Sequence, residues 1–222
     1  MSITPASTQI KVSGITQPDD ARLAADLGVA MVACVFNAKS PRFVTMSTAW
    51  AIRRALPPHV SLVGIFVDAP RPLVQQVVHH CALDHAQLFG HETRADVEAI
   101  HPHAFKAVTV DQPAAVDRVV RTHLGVLPGR AVAPAMLVHL TRSASMDWDC
   151  LAHAASRVPL LLASSALSPA NIGDAIRQAR PWGVDVWDAV EAKPGRVDPR
   201  RLAALVAAVR AADQALATGA DG

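Results

Sequence analysis

Eight short apolar runs alternate with eight amphipathic stretches along this chain, and that alternation limits its possible folds more than any other feature. The runs are IKVSG (10–14), AMVACVF (30–36), SLVGIFV (61–67), HAQLF (85–89), FKAVTV (105–110), AMLVHL (135–140), PLLLAS (159–164) and VDVW (184–187). They read as strands. Between and after them lie DDARLAADLG, TMSTAWAIRRAL, RPLVQQVVHHCAL, TRADVEAIH, QPAAVDRVVRTHL, DWDCLAHAAS, SPANIGDAIRQAR and DPRRLAALVAAVRAADQAL. Apolar residues in these segments recur at i, i+3, i+4 and i+7, the helical period. Strict strand–helix alternation implies a parallel sheet, and eight strands is the number that closes one into a barrel. The expected class is therefore α/β, a single (β/α)8 TIM barrel over residues 1–222, with residues 1–9 and 218–222 frayed. An open doubly wound sheet is the alternative, but its GxGxxG fingerprint after the first strand is missing. Asp19, Ser168 before Pro169, and Asp198 before Pro199 are placed as helix starts. Gly28 and Gly183 sit where helices should hand over to strands.

Composition narrows the function. With 51% of 222 residues hydrophobic, a large interior can be buried. A net charge of +2, no Lys/Arg run and no tyrosine leave no footprint for nucleic acid. No apolar run approaches the ~20 residues that span a bilayer. The N-terminus MSITPASTQI lacks the basic and apolar regions of a signal peptide. Cys34, Cys81 and Cys150 lie far apart without a CxxC pair, which suits reduced thiols and a cytoplasmic location. The expected partner is a small-molecule substrate, with no cofactor.

Seven segments in order carry a resemblance. They are KVSGITQPDDA (11–21), VFNAKSPRFV (35–44), VGIFVDA (63–69), HAQLFGHE (85–92), MDW (146–148), LSPANI (167–172) and GVDV…VE..PG..D (183–198). Each is weak alone; together they resemble the phosphoribosylanthranilate isomerase family over nearly all of residues 10–210. The resemblance implies a (β/α)8 barrel with its active site at the C-terminal strand ends. Monomers and homodimers both occur in that family.

At those strand ends the sequence departs from the family. The family's general base is a cysteine where this chain has Ser13, and its general acid is an aspartate where this chain has His139. A serine hydroxyl cannot act as a resting base unaided, whereas an imidazole can carry a proton near neutrality. The family's glycine-rich phosphate turns read Ser165-Ala166 after strand seven and Trp187-Asp188-Ala189 after strand eight. The turn after strand six reads Leu140-Thr141-Arg142-Ser143, without glycine. A carboxylate at 188 would oppose a phosphate there by on the order of 4 kcal/mol per unit charge, at ~4 Å and an effective dielectric of ~20. Arg42 stands where the resemblance implies recognition of the anthranilate carboxylate, a task suited to its forked donors.

These exchanges lead to an expectation of altered specificity: acid–base chemistry of isomerase, cyclase or lyase type on a small non-phosphorylated, aromatic carboxylate in specialised biosynthesis. His139, Ser13 and Asp188 are the candidate catalytic residues. Asp188 would orient His139 or the substrate, and Ser13 would supply a hydrogen bond. Arg42, Phe89, His91, Trp187 and Asp68 are the candidate substrate-binding residues, with Phe89 and Trp187 as apolar walls. The alternatives are a catalytically silent binding protein and a residual, low-level isomerase of tryptophan biosynthesis that uses His139 in place of the acid. A metal held by His91, His139 and carboxylates has no HxH or HExxH spacing behind it, so none is expected.

Overall fold

The computed structural model describes residues 7–100, 104–111, 114–123, 135–141 and 148–219. Expectations for His101, His103, Arg142, Ser143 and the loop 125–134 lie outside the described residues. The elements run β1 (Gln9–Ser13), α1 (Pro18–Asp26), β2 (Met31–Val35), α2 (Met46–Ala55), β3 (Ser61–Phe66), α3 (Arg71–His80), β4 (His85–Leu88) and α4 (Arg94–Ile100). They continue as β5 (Ala104–Val110), α5 (Ala114–His123), β6 (Met136–Leu140), α6 (Trp148–Arg157), β7 (Leu160–Ser164), α7 (Ile172–Ala179) and β8 (Gly183–Val186). A 3₁₀ turn (Asp188–Val190), the hairpin β9 (Glu191–Lys193) and β10 (Arg196–Val197), and α8 (Pro199–Thr218) complete the chain.

Strands β1 to β8 form a closed parallel barrel in sequence order. Closure pairs β1 with β8, setting Gln9 opposite Gly183 and Lys11 opposite Asp185. Successive side chains on a strand point to opposite faces, and the apolar clusters divide accordingly. Ile10, Val12, Val32, Ala86, Leu88 and Val184 pack outward with the helices; Val138, Leu140, Leu160 and Leu162 do the same on the other side. Met31, Ala33, Val63, Ile65, Phe105, Ala107, Leu137 and Leu161 fill the barrel itself. By the same alternation Lys11, Ser13, Gln87, His139 and Asp185 face the barrel interior, because their strand neighbours face the helices.

Local signals account for most boundaries. Asp198 caps α8 by accepting from the Arg200 and Arg201 amides, with Pro199 in the first turn. Gly28, at φ +81°, turns the chain from α1 toward β2. Three expectations change. α1 begins at Pro18 with Gln17 before it, so Asp19 lies in the first turn and is not the cap. Ser168 and Pro169 form a turn whose Ser168 carbonyl accepts from Asn171 and Ile172, and α7 starts only at Ile172. Gly183 is not a helix end but a strand residue; a Cβ there would lie 2.6 Å from the Gln9 carbonyl across the closing seam. Ordered elements also extend into the segments expected to fray, since β1 begins at Gln9 and α8 ends at Thr218.

Candidate active site

A cavity of about 150 Å³ opens at the C-terminal ends of β4, β6, β7 and β8. His139 lies in its wall, with Leu137 and Gln87 on neighbouring inward positions and Phe89, Trp187, Asp188 and Arg42 toward the rim. Ser164, Ser165 and Ala163 form the β7 side, and Asp185 the β8 side. The Phe89 ring meets the His139 imidazole edge to face, with centroids 6.1 Å apart.

Two polar side chains in this wall carry buried atoms that have no hydrogen-bond partner among the described residues. Gln87 is fully buried, and neither amide atom is bonded by another described residue. The Nδ1 of His139 is likewise buried without such a partner. A buried polar group left unsatisfied costs about 1–3 kcal/mol, so such groups mark either a strain or a ligand-facing surface. Burial also pushes the His139 imidazole below the ordinary histidine value of 6.5, although the carboxylates of Asp185 and Asp188 oppose this. At neutral pH the ring is therefore uncharged and available as a base.

Behind the wall lies a charged network that composition alone did not suggest. Lys11 and Asp185 form an ion pair of 3.0 Å with both side chains fully buried. Lys11 Nζ donates to Ser13 Oγ at 2.6 Å, and Ser13 Oγ donates to Asp185 Oδ1 at 2.7 Å. Trp187 Nε1 donates to Asp185 Oδ2 at 2.9 Å. Burial pulls the Lys11 ammonium down from its ordinary value, and Asp185 resists that pull. Ser13 is only 2% exposed and is not part of the cavity wall. Its hydroxyl is held between Lys11 and Asp185, so it reaches the cavity only through Asp185. Trp187 serves twice, as an apolar wall and as a donor that fixes this carboxylate.

Arg42 is also committed. Its Nε donates to Glu191 Oε1 at 2.7 Å and one terminal nitrogen donates to Glu191 Oε2 at 2.5 Å. The same nitrogen donates to Asp188 Oδ1. Hydrogen bonding to Glu191 is the main reason its basicity rises further. The guanidinium carbon stands 5.7 Å from the Trp187 ring centroid. Gly14 makes room for this arm: it sits at φ +83°, and a Cβ there would lie 2.5 Å from Arg42 Cδ. Arg42 thus clamps the loop after β2 to the segment after β8. Asp188 turns to Arg42, and does not orient His139 by a hydrogen bond.

His91 and Asp68 lie outside this cavity and border shallower ones beside β3 and β4. His91 Nδ1 is 3.1 Å from Asp68 Oδ2, and its side chain is 97% exposed. The His91 amide and ring together hold the Asp68 carboxyl below the usual range. Nearby, the buried Glu92 carboxylate accepts from Lys106 Nζ at 2.6 Å and from the Asp68 and Gly90 amides. That rim is a self-contained loop brace. Among the described residues, no group of three or more His, Cys, Asp or Glu side chains comes together as a metal site would require.

Lys11, Gln87 and Asp185 lie within β1, β4 and β8, outside the strand-end positions that sequence reasoning singles out. The signal was present: a strand of a parallel barrel is apolar on both faces, and these three interrupt that run in KVS, AQL and VDV.

The family model for N-(5'-phosphoribosyl)anthranilate isomerase matches residues 10–208. The chain belongs to the phosphoribosylanthranilate isomerase family. Its sequence is 37% identical over 210 residues to the isomerase of Pseudomonas putida, covering 93% of this chain and all of that one. It is 34% identical over 216 residues to the isomerase of Pseudomonas fluorescens, covering 92% and 100%. The crystal structure of the isomerase from Thermotoga maritima superposes with a TM-score of 0.81 at 28% identity, covering 92% of this chain and 99% of that one. A family member in complex with reduced 1-(o-carboxyphenylamino)-1-deoxyribulose 5-phosphate superposes at 0.79, with the same identity and coverage.

These relatives overturn the expectation of a non-phosphorylated substrate and an altered specificity: relatives matched along almost their whole length carry one activity in their names. Asp188 is not the isolated charge that its place in the sequence suggests. In the fold its carboxylate is drawn onto the Arg42 guanidinium.

Proposed function

We propose that this protein isomerises N-(5'-phosphoribosyl)anthranilate as an enzyme of tryptophan biosynthesis, with His139 as its proton carrier. The observation that carries the reading is the match with isomerases along more than nine-tenths of the chain. The cavity at the strand ends, with a basic imidazole in its wall, supports the chemistry.

Turning an N-ribosyl amine into a 1-amino-1-deoxyketose needs no redox partner. The ring C1'–O4' bond breaks as O4' takes a proton from water, which leaves an iminium at C1' and a hydroxide that the C2' hydroxyl proton later neutralises. Loss of the C2' proton gives an enolamine, and return of a proton to C1' with loss of the C2' hydroxyl proton gives the ketone. Uncharged His139 is suited to take the C2' proton and, as imidazolium, to return it to C1'. The buried Asp185 carboxylate favours both the imidazolium and the iminium. Ser13 acts through Asp185, by fixing its orientation together with Lys11 and Trp187. Phe89 and Trp187 supply flat apolar walls for the anthranilate ring. Ser165 and the turn at Asp188 border the side where the family resemblance implies the phosphate. Arg42 holds that turn in place. We place His91 and Asp68 outside the reaction.

Among the described residues no helix is long and apolar enough to cross a membrane; a cytoplasmic location and a monomeric or homodimeric state complete the proposal. One solved relative is described as a monomer generated from the dimeric Thermotoga maritima enzyme. Purified protein should convert phosphoribosylanthranilate with saturation and rescue growth of a strain lacking this isomerase without tryptophan. No conversion above the buffer rate, with no rescue, would overturn the proposal.

A further inference from the structure

We propose that the Gln87 side-chain amide reads the sugar, its Nε2 donating to one ribose hydroxyl and its Oε1 accepting from the next. The identity of the sugar as ribose rests on the isomerase reading; the hydroxyl-binding role of Gln87 rests on geometry alone. Gln87 is the third of the four residues of β4, between Ala86 and Leu88, which both pack toward the helices. Alternation therefore turns it into the barrel, where it lines the cavity beside His139. It is fully buried, and neither of its amide atoms has a partner among the described residues. In the same cavity wall the His139 Nδ1 is also buried without a partner among the described residues.

The charge of the ligand group follows from these neighbours. A primary amide offers donors and an acceptor side by side but no formal charge. A carboxylate or phosphate would find only the Nε2 face favourable and would be repelled by Oε1. A group that both donates and accepts satisfies both atoms, and vicinal hydroxyls are such a group. At about 150 Å³ the cavity is smaller than usual for a whole drug-sized ligand. It suits a pentose, with an aromatic ring held at the rim by Phe89 and Trp187. Gln87 would then fix the sugar's C2'–C3' edge beside the imidazole, which makes it a positioning and specificity residue. A site built to pair a hydroxyl rejects an analogue lacking it far more strongly than a site of matched apolar shape.

The experiment compares wild type with Gln87→Met, which keeps the shape and removes both polar atoms; Gln87→Leu serves if Met does not fold. Three readouts are taken: the melting temperature, binding of D-ribose alone by ligand-observed NMR, and kcat/KM with phosphoribosylanthranilate. The expected result is a melting temperature equal to or above wild type, loss of the ribose signal, and a kcat/KM lower by about 10–100-fold. A purely structural glutamine would instead lower the melting temperature and leave ribose binding intact. Ribose binding that is absent in wild type, or equal in both proteins, overturns the proposal, as does an unchanged kcat/KM. Ribose binding that depends on Gln87 in a protein that does not convert phosphoribosylanthranilate would overturn the isomerase reading and leave this one standing.

Discussion

Two polar regions meet at the barrel mouth, and they are built on opposite principles. On one side Arg42, Glu191 and Asp188 satisfy one another, with Glu191 also accepting from the Gly195 amide at 2.9 Å. On the other, the amide of buried Gln87 and the buried Nδ1 of half-buried His139 have no hydrogen-bond partner among the described residues. The first arrangement is complete without a ligand and joins segments nearly 150 residues apart in sequence. The second is complete only with one. A charged side chain at a strand end is thus poor evidence of a site until its partners are known. An unanswered buried amide or imidazole is better evidence, because natural interiors rarely leave such groups unpaired.

This contrast can be broken by substitution. The largest effect expected is on turnover: His139→Gln should slow conversion of phosphoribosylanthranilate by about 10²–10⁴-fold, the usual worth of a positioned acid–base group. Its melting temperature should not fall, since the replaced ring leaves a buried nitrogen unpaired. On the paired side the effect should be on stability. Glu191→Ala leaves the half-buried Arg42 guanidinium with Asp188 as its remaining acidic partner and takes the acceptor from the Gly195 amide, and urea unfolding should show a loss of about 1–3 kcal/mol. Turnover measured well below the unfolding midpoint should fall less than in His139→Gln.

A smaller effect is expected from pH. Burial holds the folded His139 pKa below the 6.5 of the exposed ring. The unfolded chain therefore binds the proton more readily than the folded one. Stability from this residue is complete above about 6.5 and declines as pH falls toward the lowered folded value. Melting temperatures between pH 5 and 7.5 should drop toward acid in wild type and drop less in His139→Gln. The acidic limb of kcat/KM should have its midpoint below 6.5. The smallest effect belongs to the exposed pair: His91→Ala should leave both turnover and melting temperature unchanged, because surface ion pairs contribute little. A marked loss of turnover there would move the site toward β3 and β4.

The barrel was legible because it rests on local pattern. Each strand lies within one residue of the apolar run that announced it, and Asp198-Pro199 opens α8 as its chemistry requires. The β9–β10 hairpin escaped because strands of three and two residues carry no periodic signal. The site was legible only in part. His139, Phe89, Trp187, Asp188 and Arg42 do border one cavity, as strand-end position suggested. What sequence could not supply was pairing at long range: Arg42 with Glu191 and Asp188, or Ser13 with Asp185 across 172 residues. Without those partners, Ser13 looked like a group facing substrate and Asp188 like a charge excluding phosphate. The altered specificity expected from these exchanges fails for that reason: Asp188 is paired with Arg42, and Ser13 is held by Asp185.

The central claim is that the unanswered polar wall, and not the paired clamp, is where an isomerase substrate reacts. Steady-state conversion of phosphoribosylanthranilate by wild type and by His139→Gln, at matched folded fraction, tests it most directly. The account predicts saturable turnover by wild type and a loss of at least about 10²-fold in the variant. Equal rates in the two proteins, or no wild-type turnover at all, would contradict it.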